Sequence, residues 1–204
     1  MFGLFRERSL RSRYGEPIVV VSGLPRSGTS MMMRMLDAGG VPIVTDRVRE
    51  ADEDNPRGYF EVERVKDLEQ AGDRSWLQDF RGHAIKVISF LLKSLPEQNQ
   101  YKVIFMRRHL DEVVASQNKM LARRGEEVDP AGDEAMKKRY GIHLKKVAFF
   151  LEEADNFRTL EIDYKDVLND PKRHAKRVRR FVGRNLNLEK MVAAVDPQLY
   201  RNRR

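Results

Sequence analysis

Ile18-Val19-Val20-Val21-Ser22-Gly23-Leu24-Pro25-Arg26-Ser27-Gly28-Thr29-Ser30 decides how this chain folds. The run Ile18 to Val21 predicts a strand. The residues after the loop, Met31, Met32, Met35 and Leu36, fall at helical spacing and are stopped by Gly39-Gly40. Strand, glycine-bounded turn and helix in that order begin a βα unit. Gly23 and Gly28 enclose four residues, the spacing of a phosphate-binding loop. Glycines let such a loop curl until successive N–H groups converge, and the helix N-terminus adds partial positive charge at the same point. The stretch is suited to phosphate or sulfate.

Working outward, Ala84 to Ile88, Lys102 to Met106 and Arg158 to Ile162 read as further strands, each separated from the next by helical sequence. That alternation predicts an α/β protein: a three-layer, P-loop-like fold with a central, mostly parallel sheet flanked by helices. Leu110, Val113, Val114, Gln117 and Leu121 place one face of a helix inward, with Gly125 positioned to end it, and Met136, Tyr140, Leu144, Val147 and Leu151 repeat the pattern. Asp170 as cap, Pro171 at the first position and Gly183 past the end frame another helix. Its six Lys or Arg between Lys172 and Arg180 read as a solvated face. Met31, Met32, Met33 and Met35 are expected in the core.

Composition narrows the class. The 204 residues, 41% of them hydrophobic, suit one domain with its own core, expected over 17–204 behind a basic N-terminal extension at 1–16. No cysteine is present, which excludes disulfides, thiolate zinc sites and cysteine nucleophiles and fits a reducing, cytoplasmic setting. The four histidines never fall at ligand spacing, so no metal is expected, and Asp52-Glu53-Asp54 lacks the spacing of a calcium loop. Apolar runs such as Ile18 to Val21 fall far short of the roughly 20 residues of a membrane helix. A net charge of +8 favours anionic partners without choosing among them. Specific nucleic-acid binding would need clustered aromatics or a reading element, and the chain offers neither. Thr45 to Gly58 and Arg123 to Gly132 read as long surface loops, the second as a lid.

Within the phosphate loop, the position after Gly28 is Thr29 where an NTPase has lysine, which argues against a P-loop nucleotide kinase. A cation inside the loop, Arg26, and the hydroxyls of Ser27, Thr29 and Ser30 can hold a terminal phosphate instead. Pro25-Arg26-Ser27-Gly28-Thr29-Ser30 resembles the first signature of the sulfotransferase superfamily, whose loop binds the 5′-phosphosulfate of 3′-phosphoadenosine 5′-phosphosulfate (PAPS). The resemblance runs from Pro17 to about Tyr200 and looks closest to short bacterial members. It implies transfer of a sulfuryl group from PAPS to a hydroxyl or amine on a small-molecule, carbohydrate, lipid or peptide acceptor, by in-line displacement and without a metal.

The same resemblance implies roles further along. Arg108 and Ser116, eight residues apart after the strand Lys102 to Met106, match the family's pair for the 3′-phosphate, although His109-Leu110 stands where the family has Asp or Asn and then Pro. Tyr164-Lys165-Asp166-Val167 resembles a family segment that puts Tyr164 against the adenine; the same residues also read as a plain helix start. Lys86-Val87-Ile88 corresponds to a Lys-Thr-His motif that has kept its lysine and lost its histidine. Other branches use a carboxylate base, and Glu61, closing Asn55-Pro56-Arg57-Gly58-Tyr59-Phe60-Glu61, is the candidate. Its alternative reading is a favourable charge at a helix N-terminus; His83 is the weaker base candidate. The family's C-terminal Arg-Lys-Gly element has no clear counterpart, with Arg201, Arg203 or Arg204 as substitutes. The rival to an active enzyme is a silent binder of adenosine bisphosphate, separated from it by turnover.

Overall fold

The computed structural model describes residues 12–46, 58, 60–128 and 130–196. Four parallel strands form its sheet: β1 (Ile18–Gly23), β2 (Ala84–Lys86), β3 (Tyr101–Arg107) and β4 (Phe157–Asp163), in the order β2-β1-β3-β4. All four expected strands are present, and mostly parallel becomes wholly parallel. The register sets Val21 opposite Lys86, Gly23 opposite Met106 and Arg107 opposite Asp163, so the carboxyl ends share one rim.

Alternation along β1 and β3 divides the core in two. Val19, Val21, Ile104 and Met106 face one way, where helices α1 (Thr29–Ala38), α5 (Tyr164–Asn169), α6 (Pro171–Val182) and α7 (Leu188–Ala193) cover them. Ile18, Val20, Tyr101, Val103 and Phe105 face the other way. There they meet α2 (Glu63–Lys66), α4 (Asp133–Glu153) and 3-10 turns at Ser75–Phe80 and Ser89–Ser94. These are the outer layers of the expected three-layer fold. Met31, Met32, Met33 and Met35 are all buried, each fully buried side chain of this size contributing about 1.5–3 kcal/mol. Asp170 accepts from the Arg173 N–H, Pro171 opens α6 and Gly183 closes it in the left-handed conformation, as the sequence predicts.

Helix α3 (Leu110–Arg123) differs from expectation in its inward stripe. Glu112, Val113, Val114, Ser116 and Met120 are buried, while Leu110, Gln117 and Leu121 are only half-buried. The helix turns a polar edge inward because Glu112 and Ser116 meet arginines from outside it. Of the expected loops, 47–57 and the C-terminal arginines lie outside the described residues, as do residues 1–11 of the basic extension. Arg123 to Gly132 forms a turn at Gly125 and a 3-10 turn at Pro130–Gly132. No helix among the described residues is long and apolar enough to cross a membrane.

Candidate active site

In this strand order the chain leaves β1 towards β2 on one side, while β3 leads to β4 on the other. The carboxyl ends of β1 and β3 therefore flank a topological switch point, where open α/β sheets hold ligands. A cleft of about 460 Å³ lies there, lined by Pro25, Arg26, Gly28, Thr29, Ser30, Glu61, Lys86, Arg108, Ser116 and Tyr164 among others. Of the loop, signature and Lys86–Glu61 residues expected from sequence, all except Ser27 line this one cleft; His83 does not. Ser27 is buried within the loop, and its Oγ has no hydrogen-bond partner.

The loop is shaped by backbone conformations that few side chains tolerate. Ser27 N–H donates to the Leu24 carbonyl at 3.2 Å, Arg26 adopts φ 69° and Gly28 adopts φ 98° as the N-cap of α1. No side chain caps α1, so its first-turn N–H groups stay available to an anion. Among the described residues, Arg26 and Phe60 are the non-glycine positions at positive φ, and both adjoin this site. Left-handed backbone at such residues costs about 1–3 kcal/mol and concentrates at functional positions.

Gly28 also answers a packing demand. A Cβ there would lie 2.3 Å from Cδ2 of Tyr164, whose buried ring supports the loop from below. Gly28→Ala is expected to cost about 1–3 kcal/mol of stability through backbone strain and displacement of that ring. A melting temperature within about one degree of wild type would show that the ring yields without penalty.

Two arginine contacts fasten the two sequence signatures together, and a third braces Arg108 within the second. Arg26 Nε donates to Ser116 Oγ at 3.0 Å, Arg108 Nη1 to the Arg26 carbonyl at 3.0 Å, and Arg108 Nε to Glu112 Oε2 at 2.9 Å. The Arg108 guanidinium also sits 4.8 Å from the centre of the Tyr164 ring. Burial pushes the Tyr164 phenol above its ordinary pKa, against the opposing charges of Arg108, Arg34 and Arg26, and keeps it protonated. Tyr164 is thus both the first residue of α5 and a wall of the cleft. Glu112 was not anticipated; its spacing of four from Arg108 was the available signal.

At the β2 end of the rim, Lys86 Nζ reaches Glu61 Oε1 at 3.0 Å and Ser30 Oγ at 3.5 Å. The Lys86 and Glu61 side chains are 7% and 19% exposed, so the pair is well shielded from solvent screening. Glu61 precedes α2 rather than beginning it. Asp46 accepts the N–H of Glu63 at that helix start. His83 precedes β2, at the opposite end of that strand from Lys86, and bonds the Arg81 carbonyl.

A glycine-bent loop with an internal arginine, set at the switch point of a parallel sheet, defines a phosphate-loop α/β protein adapted to hold a phosphate or sulfate ester without the NTPase lysine. The family model described as sulfotransferase domain matches residues 16–202, and the chain belongs to that family. PAPS-dependent sulfuryl transfer is the family's general function, and the protein is an enzyme of this class. The sulfotransferase domain from the curacin biosynthetic pathway has the same fold. It superposes with a TM-score of 0.50 at 13% identity, over 90% of this chain and 79% of that one. No curated protein matches the chain.

Proposed function

We propose that this cleft transfers the sulfuryl group of PAPS to an acceptor hydroxyl or amine, with Glu61 as general base and Arg26 and Lys86 as the stabilising cations. One observation carries the assignment: Lys86 bridges Glu61 to Ser30, setting the only carboxylate among the described cleft-lining residues beside the phosphate loop. The residues fit the donor. Ser27 Oγ is buried without a partner, and the first-turn N–H groups of α1 carry no side-chain cap. PAPS supplies an activated sulfuryl group.

Pro25 to Ser30 hold its 5′ end, Arg108 and Ser116 its 3′-phosphate, and Tyr164 supports the adenine side. Glu61 accepts the acceptor's proton as the new oxygen–sulfur or nitrogen–sulfur bond forms. The bond between sulfur and the 5′-phosphate oxygen breaks, its electron pair staying on that oxygen. Arg26 and Lys86 stabilise the charge gathering there, the largest single contribution available to such a site. Lys86 also holds the Glu61 carboxylate in place. None of these roles calls for a metal. β1 starting at Ile18 supports a catalytic domain from residue 17, and the absence of cysteine supports a cytoplasmic location.

Incubation with sulfur-35-labelled PAPS and a panel of phenols, sugars, peptides and lipids tests the reading through label transfer and release of adenosine 3′,5′-bisphosphate. Nucleotide binding without either event would favour the silent binder. Arg108→Ala is expected to weaken adenosine 3′,5′-bisphosphate binding about tenfold to hundredfold by calorimetry, the worth of a charge-assisted phosphate contact. The melting temperature should fall as well, because the buried ion pair of Arg108 with Glu112, 6% exposed, is broken. Unchanged nucleotide affinity would remove Arg108 from the 3′-phosphate site.

A further inference from the structure

The cleft extends beyond the residues used so far, and its remaining wall has a definite chemistry. Ile88, Leu91 and Met120 form an apolar side, while Lys119, Arg123 and Arg124 bring three cations from the end of α3. Eight cations but a single carboxylate, Glu61, line the cleft among the described residues. The Lys119 and Arg124 side chains are exposed and make no hydrogen bond or ion pair among the described residues. A helix rises about 1.5 Å per residue, so Lys119 stands roughly 5 Å and Arg123 roughly 10 Å along α3 from Ser116. The cationic band thus starts a turn beyond the contact that ties α3 to the phosphate loop. Ile88 lies two residues past Lys86, which puts the apolar wall next to the Lys86–Glu61 pair.

We infer that the acceptor is an alcohol or phenol with an apolar body and an anionic group remote from its hydroxyl. The hydroxyl meets Glu61, the body lies on Ile88, Leu91 and Met120, and the anion is held by Lys119 and Arg124. This inference rests on the proposed transfer reaction for the placement of the hydroxyl, but the recognition of the anion stands on the wall itself. An unpaired cation at the mouth of a half-apolar cleft adds attraction for an anion and little for its neutral isostere.

The test is calorimetric binding of hydroxyphenylbutanoate and its neutral amide, hydroxyphenylbutanamide, to the full chain with and without adenosine 3′,5′-bisphosphate. The acid should bind about tenfold more tightly than the amide, and the preference should shrink at high salt. In the double variant Lys119→Gln/Arg124→Gln the two probes should bind alike, with amide and nucleotide affinities unchanged. Equal binding of acid and amide to the wild type, or no detectable binding of the acid, overturns the inference. So does a double variant that loses nucleotide affinity instead, since the two cations would then serve the donor. If the acid preference holds but labelled PAPS is never turned over, the transfer reading fails and the anion site survives.

Discussion

Arg26→Ala is expected to lower kcat about a thousandfold while leaving a folded chain. Removing one preorganised donor from a site of developing negative charge costs about 10²–10³ in rate, and here the donor also carries a full charge. The Arg26 side chain is fixed by its Nε contact to Ser116, so little reorganisation is needed when charge appears. Folding should survive because the Arg26 carbonyl, the acceptor for Arg108, belongs to the backbone and persists in alanine. Arg26→Lys restores charge without the fixed Nε donor and should fall between the two. Steady-state release of adenosine 3′,5′-bisphosphate, with thermal melts as control, reads the effect. A loss of less than about tenfold would place the stabilising charge elsewhere in the cleft.

Glu61→Gln is the second large effect. General-base catalysis contributes about 10²–10⁴, and the amide cannot take the acceptor's proton, so kcat should fall by that range with nucleotide affinity held within about twofold. Glutamine still offers Lys86 an oxygen acceptor. Glu61→Ala removes the carboxylate beside that buried ammonium and leaves it the weaker Ser30 contact, which should cost about 1–3 kcal/mol of stability in addition. Together the two variants separate proton transfer from support of Lys86. Wild-type turnover in Glu61→Gln would assign the base to another group.

The two variants also mark how far the sequence alone could be read. Residue order made the sheet legible, because a strand, a glycine turn and a helix are each specified by neighbours in the chain: Ile18 to Val21, Gly23 to Gly28, Met31 to Leu36. The same holds for the cap at Asp170 and the stop at Gly183, where the evidence lies within a few residues of the feature. The roles expected of Arg26, Arg108 and Ser116 came from signature spacing. Their meeting did not, since Arg26 and Ser116 are 90 positions apart and join only when β1 and β3 pair.

The misjudged face of α3 shows the limit directly. Hydrophobic period assigns the inward stripe by apolar residues, yet Glu112 and Ser116 are buried because arginines that β1 and β3 deliver to the same rim supply their partners. For Glu61, the sequence allowed a base or a helix-start charge. In space Asp46 takes the helix start and Lys86, arriving from β2, pairs with Glu61, contacts that no local pattern specifies. Sequence by itself determined the α/β class, the phosphate loop and the departure from NTPase chemistry, all encoded in short local patterns. Tertiary structure alone decided which carboxylate faces the loop and which cations remain open to a substrate. Charges and hydrogen bonds find partners by distance through space, and that distance is set by strand order rather than by position along the chain.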